Sequence, residues 1–293
     1  MQSVWGIILS TLPTIKTYAG IVFVFAIVEY ILPAERRQPF RNHFTNIGHV
    51  LLFFFIGPFA MILPGALAVE VARRFGPGLI SLDLDGLGVG ISNLGWPVRN
   101  ILLPFVPLLI TDFFYYWHHR LQHRVPALWT THRLHHGTQS LNAIAAYRHH
   151  WLEEPLRIAT MVIPMALLFR INAVQGAWIA FGLAQMGYLI HANIRLPYGP
   201  LTRVITGPQL HRLHHSFAPE HRDRNYSAVF PIWDILFGTY VAPKKAEWPA
   251  TGLGEDEPQG NILEETAYPF LALGRKVRGW LFRARPERVS AAE

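Results

Sequence analysis

Eight histidines of this chain form three boxes: H-x-x-x-H at His119 and His123, H-x-x-H-H at His132, His135 and His136, and H-x-x-H-H at His211, His214 and His215. Thirteen of the 15 histidines lie between His118 and His221, a concentration that core packing does not explain. Residues three or four apart share a face of a helix, so each box can aim two or three imidazoles at one point. Imidazole nitrogen suits zinc, iron, copper and nickel, and three boxes supply about twice the ligands of a single tetrahedral ion. Two metals are the natural reading. The two H-R-L-H-H boxes have unlike flanks, Trp129 before one and Pro208 before the other, so shared ligand geometry explains them better than duplication.

The elements that must position these boxes are apolar. Of the 293 residues, 51% are hydrophobic and only 15% are charged, below the roughly 25% charged of ordinary soluble domains. Apolar stretches cover residues 18–32, 47–71, 101–117 and 156–190. The second is long enough for a hydrocarbon core of about 30 Å, and the first and third are near the lower limit. The fourth, interrupted by Arg170 and Asn172, is long for one span and short for two. It reads as a helical hairpin that does not fully cross and whose ends emerge on the same side. Residues 118–157 and everything from His191 onward then share one face of the membrane, where the three boxes meet. The expected fold is all-α: a single multi-pass membrane domain over residues 1–293, with a histidine-rich cap over the helix ends and chemistry-bearing motifs between residues 112 and 240.

Charge gives that face a side. The segments placed on it hold 21 of the 26 lysines and arginines, leaving Lys16, Arg73, Arg74, Arg99 and Arg170 elsewhere. The excess of basic residues makes the histidine face cytoplasmic. No basic residue occurs in the first fifteen and no small-residue cleavage site follows the first apolar run, so that run is expected to stay as an anchor. The net charge of +7 flanks apolar segments and is not interleaved with aromatics in a polar domain, which favours anionic lipid headgroups over nucleic acid. The absence of cysteine excludes disulfides, thiolate ligands and iron–sulfur clusters within the chain, so electrons for any redox chemistry must come from a partner. The stretch from Gly76 to Pro97 reads as a loop or interfacial segment on the far side. Gly274 to Arg285 pairs basic residues with Val277, Trp280 and Leu281 in the manner of an interfacial helix, and an ordinary surface helix fits equally well.

From Asp112 to Tyr240 the motifs together resemble the fatty acid hydroxylase and sterol desaturase superfamily of membrane oxygenases. DFFYYWHHRLQHRVPALWTTHRLHH (Asp112 to His136) is similar to that family's first two boxes, with a Tyr-Trp pair ahead of one and Pro-x-x-Trp ahead of the other. On that match His119, and not His118, is the first ligand. RHHWLE (Arg148 to Glu153) resembles R-x-H-P-L-E and points to His150, although Trp151 stands in the proline position. HANIRLP (His191 to Pro197) resembles an H-x-N motif at the end of a helix pair. GPQLHRLHH followed by NYSAVFPIWDILFGTY (Asn225 to Tyr240) resembles the last box and the signature behind it, with Ser227 replacing glycine.

The resemblance implies two iron ions, with zinc able to displace them on overexpression. It also implies O2 and externally supplied electrons used to oxidise a C–H bond of a lipid. The expected ligands are the eight box histidines, with His191 as a ninth and His150 as a tenth. His118 and His149 sit one residue off the ligand positions. A polar core contact is the default for His43 and His49, and His221 has a minor claim as a ligand. Imidazoles that bind metal donate their other N–H to an acid, amide or carbonyl that fixes the ring. Asp112, two helical turns before His119, is the first candidate for that task, followed by Glu153, Asn193, Asn225 and Asp234. Hydroxylation, desaturation and ether cleavage share their first step, and the sequence does not choose among them. Acyl-chain desaturases share the box types but separate the first two by a long membrane hairpin, whereas His123 and His132 here are nine residues apart. A non-enzymatic metal carrier is the rival of a different class. It would be expected to place its ligands at mid-membrane depth, not at span ends.

Overall fold

The computed structural model describes residues 4–76, 78–81, 95, 105–170, 173–255, 257 and 260–283. Helix α1 (Val4–Ile31) starts well before the expected boundary at residue 18. The hydroxyls of Ser10, Thr11 and Thr17 bond to carbonyls three or four residues back in the same helix, so these polar residues do not end it. Helix α2 (Phe40–Ala60) also starts earlier than expected, and the stretch 47–71 is not one helix: it breaks at Met61, after which α3 (Ile62–Phe75) begins. Pro64 is the reason, because it has no N–H for the Ala60 carbonyl and its ring would clash there. Among the described residues, two helical segments, Trp5–Ile31 and Phe40–Ala60, are long and apolar enough to cross a membrane.

Helix α4 (Phe105–Arg124) carries five consecutive aromatic residues, Phe113 to Trp117, and the first box, and residues 101–104 of the expected third stretch lie outside the described residues. Most of the expected loop from Gly76 to Pro97 lies outside them too. After one extended residue, Val125, α5 (Pro126–His136) carries the second box. A 3-10 turn (Ala143–Tyr147) leads to α6 (Glu153–Arg157), a π-helical turn (Ile158–Val162) and α7 (Ile163–Leu168), which follow one another without a gap. At 1.5 Å per residue this arm is about 24 Å long, short of a hydrocarbon core. It ends at the short strand Phe169–Arg170, which pairs in parallel with Ile80–Ser81, and α8 (Ala173–His191) follows. The stretch expected as a hairpin is therefore two helical arms broken at Arg170. The last box lies on the short α9 (Pro208–His214), followed by α10 (Ile232–Leu236) and α11 (Ile262–Arg283).

An aromatic core joins these elements beneath the histidines. Tyr18 of α1 meets Phe54 of α2, Tyr147 of the 3-10 turn and Tyr188 of α8 at ring separations of 5.4 to 5.9 Å. The two edge-to-face pairs, with Phe54 and Tyr147, add about 0.5–1.5 kcal/mol each beyond burial. The Tyr18 hydroxyl donates to the Ile144 carbonyl, so the phenol is not left unsatisfied in the core.

A second, ionic junction lies beside it. Arg148 is fully buried, and its guanidinium meets Glu265 of α11 at 2.6 Å, while His49 Nε2 of α2 lies 2.6 Å from the same carboxylate. Three distant parts of the chain thus converge on one carboxylate.

Candidate metal centre

Each box sits where a helix has just begun or is about to end. Pro126 and Pro208 open α5 and α9 at the first helical positions, where a missing N–H costs nothing. His119 and His123 lie in the last two turns of α4, and His191 is the last residue of α8.

The boxes do not each serve one point. His119 and His123 join His132, His136 and His214 in one group, and His135, His191, His211 and His215 form a second. Each H-x-x-H-H box is therefore divided: its i,i+4 pair faces one group and its remaining histidine faces the other. The eight box histidines and His191 are all brought together. His150 is not, because its Nε2 lies 3.1 Å from the Thr266 carbonyl of α11. Its neighbour His149 instead stacks on His135 with ring centres 4.2 Å apart. His118, with Nδ1 2.7 Å from the Thr160 hydroxyl, belongs to neither group.

The ring nitrogens show what these groups can hold. His119 Nδ1 lies 2.7 Å from the Tyr226 carbonyl and His132 Nδ1 lies 3.1 Å from Glu153. A carbonyl or carboxylate only accepts, so both protons are on Nδ1 and both Nε2 atoms present lone pairs. Those two Nε2 atoms are 3.1 Å apart. The second group repeats the arrangement. His191 and His135 direct Nδ1 at the carbonyls of Gly187 and Arg148, and their Nε2 atoms are 3.0 Å apart. Lone pairs held face to face at this distance repel unless a cation lies between them, and nitrogen ligands about 2.0–2.1 Å from one metal are spaced this way. Burial and the neighbouring imidazoles push His119, His135, His136, His211, His214 and His215 far below the ordinary imidazole range. Burial also lowers His123, to about 4, against the pull of Asp223. These rings are therefore neutral near neutral pH, the form in which an imidazole can bind metal. His214 Nε2 is buried with no hydrogen-bond partner among the described residues, as a nitrogen meant for metal would be. Both histidine groups fit metal ions.

The groups that orient the rings are partly those expected. Glu153 accepts from Gln122 Nε2 at 2.8 Å and from the His150 N–H at 3.3 Å, and it faces His132 and His149 at 3.1 and 3.2 Å. Burial opposes its ionisation, but His149 and His132 hold the carboxyl well below the usual carboxylate range. Asp112 acts one step further out. Its carboxylate takes the N–H groups of Ala228, Val229 and Phe230, while Asp234 takes those of Tyr226 and Ser227. Together they clamp the loop whose Tyr226 carbonyl receives the His119 N–H. Asn225 holds the base of that loop through both amide atoms to Val241, at a left-handed φ of 56° that asparagine tolerates better than most residues. Asn193 bonds to the Glu35 backbone through Oδ1 and Nδ2, tying the chain after His191 to the end of α1. Neither asparagine directs its side-chain bonds at a histidine ring. Asp223, 3.5 Å from His123 Nδ1, was not expected, and no spacing in the sequence singles it out.

Two cavities reach the histidines. One, of about 310 Å³, is lined by His132, His135 and His191 together with Tyr115, Met161, Leu183, Ala184 and Ile190, with Glu154 and Arg157 also in its wall. The other, of about 350 Å³, is more polar and touches His123, His136 and His214, with Trp129, Arg133, Arg222 and Asp223 around it. The first has apolar walls beside both histidine groups.

Comparison with known proteins gives this arrangement a family. The profile of the fatty acid hydroxylase family matches residues 104–239, which contain all nine grouped histidines. The chain is 30% identical to ornithine lipid hydroxylase OlsE of Rhizobium tropici over 88% of its own length and 76% of that protein's. It is 36% identical to human alkylglycerol monooxygenase over 45% of its length, which is 29% of that longer protein. It is 27% identical to the very-long-chain aldehyde decarbonylase GL1-6 of Oryza sativa over half of its length and 24% of that protein's. No solved structure matches the chain. The chain belongs to the fatty acid hydroxylase family, within the superfamily that its histidine boxes resemble.

Proposed function

We propose that this protein is a multi-pass membrane monooxygenase with two irons, which uses O2 and electrons from a separate donor protein to hydroxylate a C–H bond of a membrane lipid. The observation that carries the reading is the pairing of Nε2 atoms in two adjacent histidine groups that both line a partly apolar cavity. The all-nitrogen donor set suits iron, and zinc would compete for it. When bound, the metals would supply O2 activation and the oxidation of the C–H bond. His119, His123, His132, His136 and His214 would hold one metal, and His135, His191, His211 and His215 the other. Glu153 fixes the His132 ring and its tautomer. Tyr115, Met161 and Leu183 would hold the lipid chain and keep water from it.

Topology follows from the same chain. The Trp5–Ile31 and Phe40–Ala60 spans support membrane insertion, and the two arms around Arg170 support a hairpin that re-enters on the histidine side. The bias of basic residues supports a cytoplasmic site. The whole chain is read as one domain. Hydroxylation is favoured over desaturation by the relative that aligns along most of its length, which is named for lipid hydroxylation. Ether cleavage remains the second reading because several shorter alignments are to alkylglycerol monooxygenases. The relatives are enzymes, which leaves the metal-carrier reading without support.

The test compares lipid extracts of cells with and without the intact protein. A lipid gaining the mass of one oxygen is expected. Unchanged lipids from cells that accumulate folded, iron-loaded protein and a reducing donor would contradict the proposal.

A further inference from the structure

Helix α11 has two faces with different partners. On one face Glu265, Pro269 and Ala272 are buried against the rest of the chain. Beside it runs a stripe of Leu263, Phe270, Leu273, Val277 and Trp280, at 7-3-4-3 spacing and thus along one side of the helix. These side chains are 49 to 81% exposed. Lys276 and Arg278 lie on either side of the stripe and Arg275 on the far side of the helix, all three exposed, and from Thr266 to Arg283 the sequence has no acidic residue. An exposed apolar stripe with a cationic flank is the pattern of a helix that lies in a membrane surface.

The position of the helix agrees. Ile262, at its start, packs so closely over Gly48 that a Cβ on Gly48 would overlap the Ile262 side chain. Gly48 lies two turns into the α2 segment that is apolar enough to cross the bilayer. The start of α11 is therefore fixed beside the first turns of that segment, which on the membrane reading is where headgroups meet acyl chains.

We propose that α11 docks into the surface of an anionic phospholipid bilayer, with Leu273, Val277 and Trp280 among the upper acyl chains and Arg275, Lys276 and Arg278 on the headgroup phosphates. The adjoining buried face holds Glu265 on Arg148, whose carbonyl lies 3.3 Å from His135 Nδ1. Lipid contact on one face of the helix is thereby joined to the histidine site through the next. The inference rests on the membrane reading above.

The test uses the full-length chain, in which a single introduced cysteine is unique. Fluorophores on Leu273→Cys and Val277→Cys, in vesicles of phosphatidylcholine with or without phosphatidylglycerol, are read for quenching by nitroxides attached to the lipid chains. A probe on Val24→Cys in α1 reports the span itself. Strong quenching at 273 and 277 is expected with phosphatidylglycerol, weaker quenching without it, and loss of the difference in R275Q/K276Q/R278Q. Removing three surface cations should weaken partitioning into the anionic surface on the order of a hundredfold. Water-exposed probes at 273 and 277 beside a quenched probe at 24 would overturn the docking and leave the membrane reading standing. Burial of these probes against a second labelled copy, read by energy transfer, would also overturn it. An unquenched probe at 24 would sink the membrane reading and the docking together.

Discussion

Replacing His135 by alanine is expected to abolish lipid oxidation and to lower bound metal from about two ions per chain to about one. His135 is the member of the second box that faces the second group, and its Nε2 sits 3.0 Å from that of His191. Its loss leaves three histidines there, and the cavity wall beside the group is opened to water. Altering residues that merely orient ligands costs 10–100-fold in affinity or activity, so removing a ligand should cost more than about 100-fold. His118→Ala is the matched control. It lines the same cavity and is just as buried, but its Nδ1 bonds to Thr160 and it joins neither group. Metal content close to that of the unaltered protein is expected. Metal loss in His118→Ala with retention in His119→Ala would mean that the first box is read one residue out of register.

Replacing Glu265 by alanine is expected to destabilise the whole molecule, although the residue touches no metal-binding histidine. It strands the Arg148 guanidinium, which has no exposed surface, and removes the neighbour of His49. Breaking a buried pair by removing one partner costs about 3–5 kcal/mol. At roughly 2–4 °C per kcal/mol, thermal unfolding in detergent should begin on the order of 10 °C lower. The double variant E265A/R148M should recover part of that loss, because the stranded charge is gone. Unchanged unfolding of Glu265→Ala would show that the pair contributes nothing. Looser metal binding should accompany the loss, because the Arg148 backbone faces His135 Nδ1.

The histidine boxes were legible in the sequence because their spacing follows the helical period, which local structure enforces. Their partition into two groups was not. Whether His135 or His136 turns to a given metal depends on where α8 and α9 deliver His191 and His214, and no local rule contains that. For the same reason the match to R-x-H-P-L-E pointed to His150, whereas the fold stacks His149 on His135 and sends His150 to the Thr266 carbonyl. Glu153 was identifiable from its motif. Asp112 was identifiable as a buried acid that needs partners, but those partners turned out to be three backbone amides more than a hundred residues away. Asp223 and the Tyr226 carbonyl carry no sequence signal, since any residue offers a carbonyl and acids are common in loops. Span boundaries failed where hydropathy is a poor guide. Serine and threonine hydroxyls satisfied within α1 read as polar interruptions, and Pro64 broke an apolar run that hydropathy alone joins.

Metal analysis of the gently purified protein, combined with X-ray absorption at the iron edge, addresses the central claim most directly. Two groups of five and four histidines, with lone pairs face to face in each, predict about two transition-metal ions per chain and a nearest shell dominated by nitrogen. Iron is the expected metal, with zinc replacing it in overexpressed material at the same total. A total near one or zero in protein that remains folded would contradict the account.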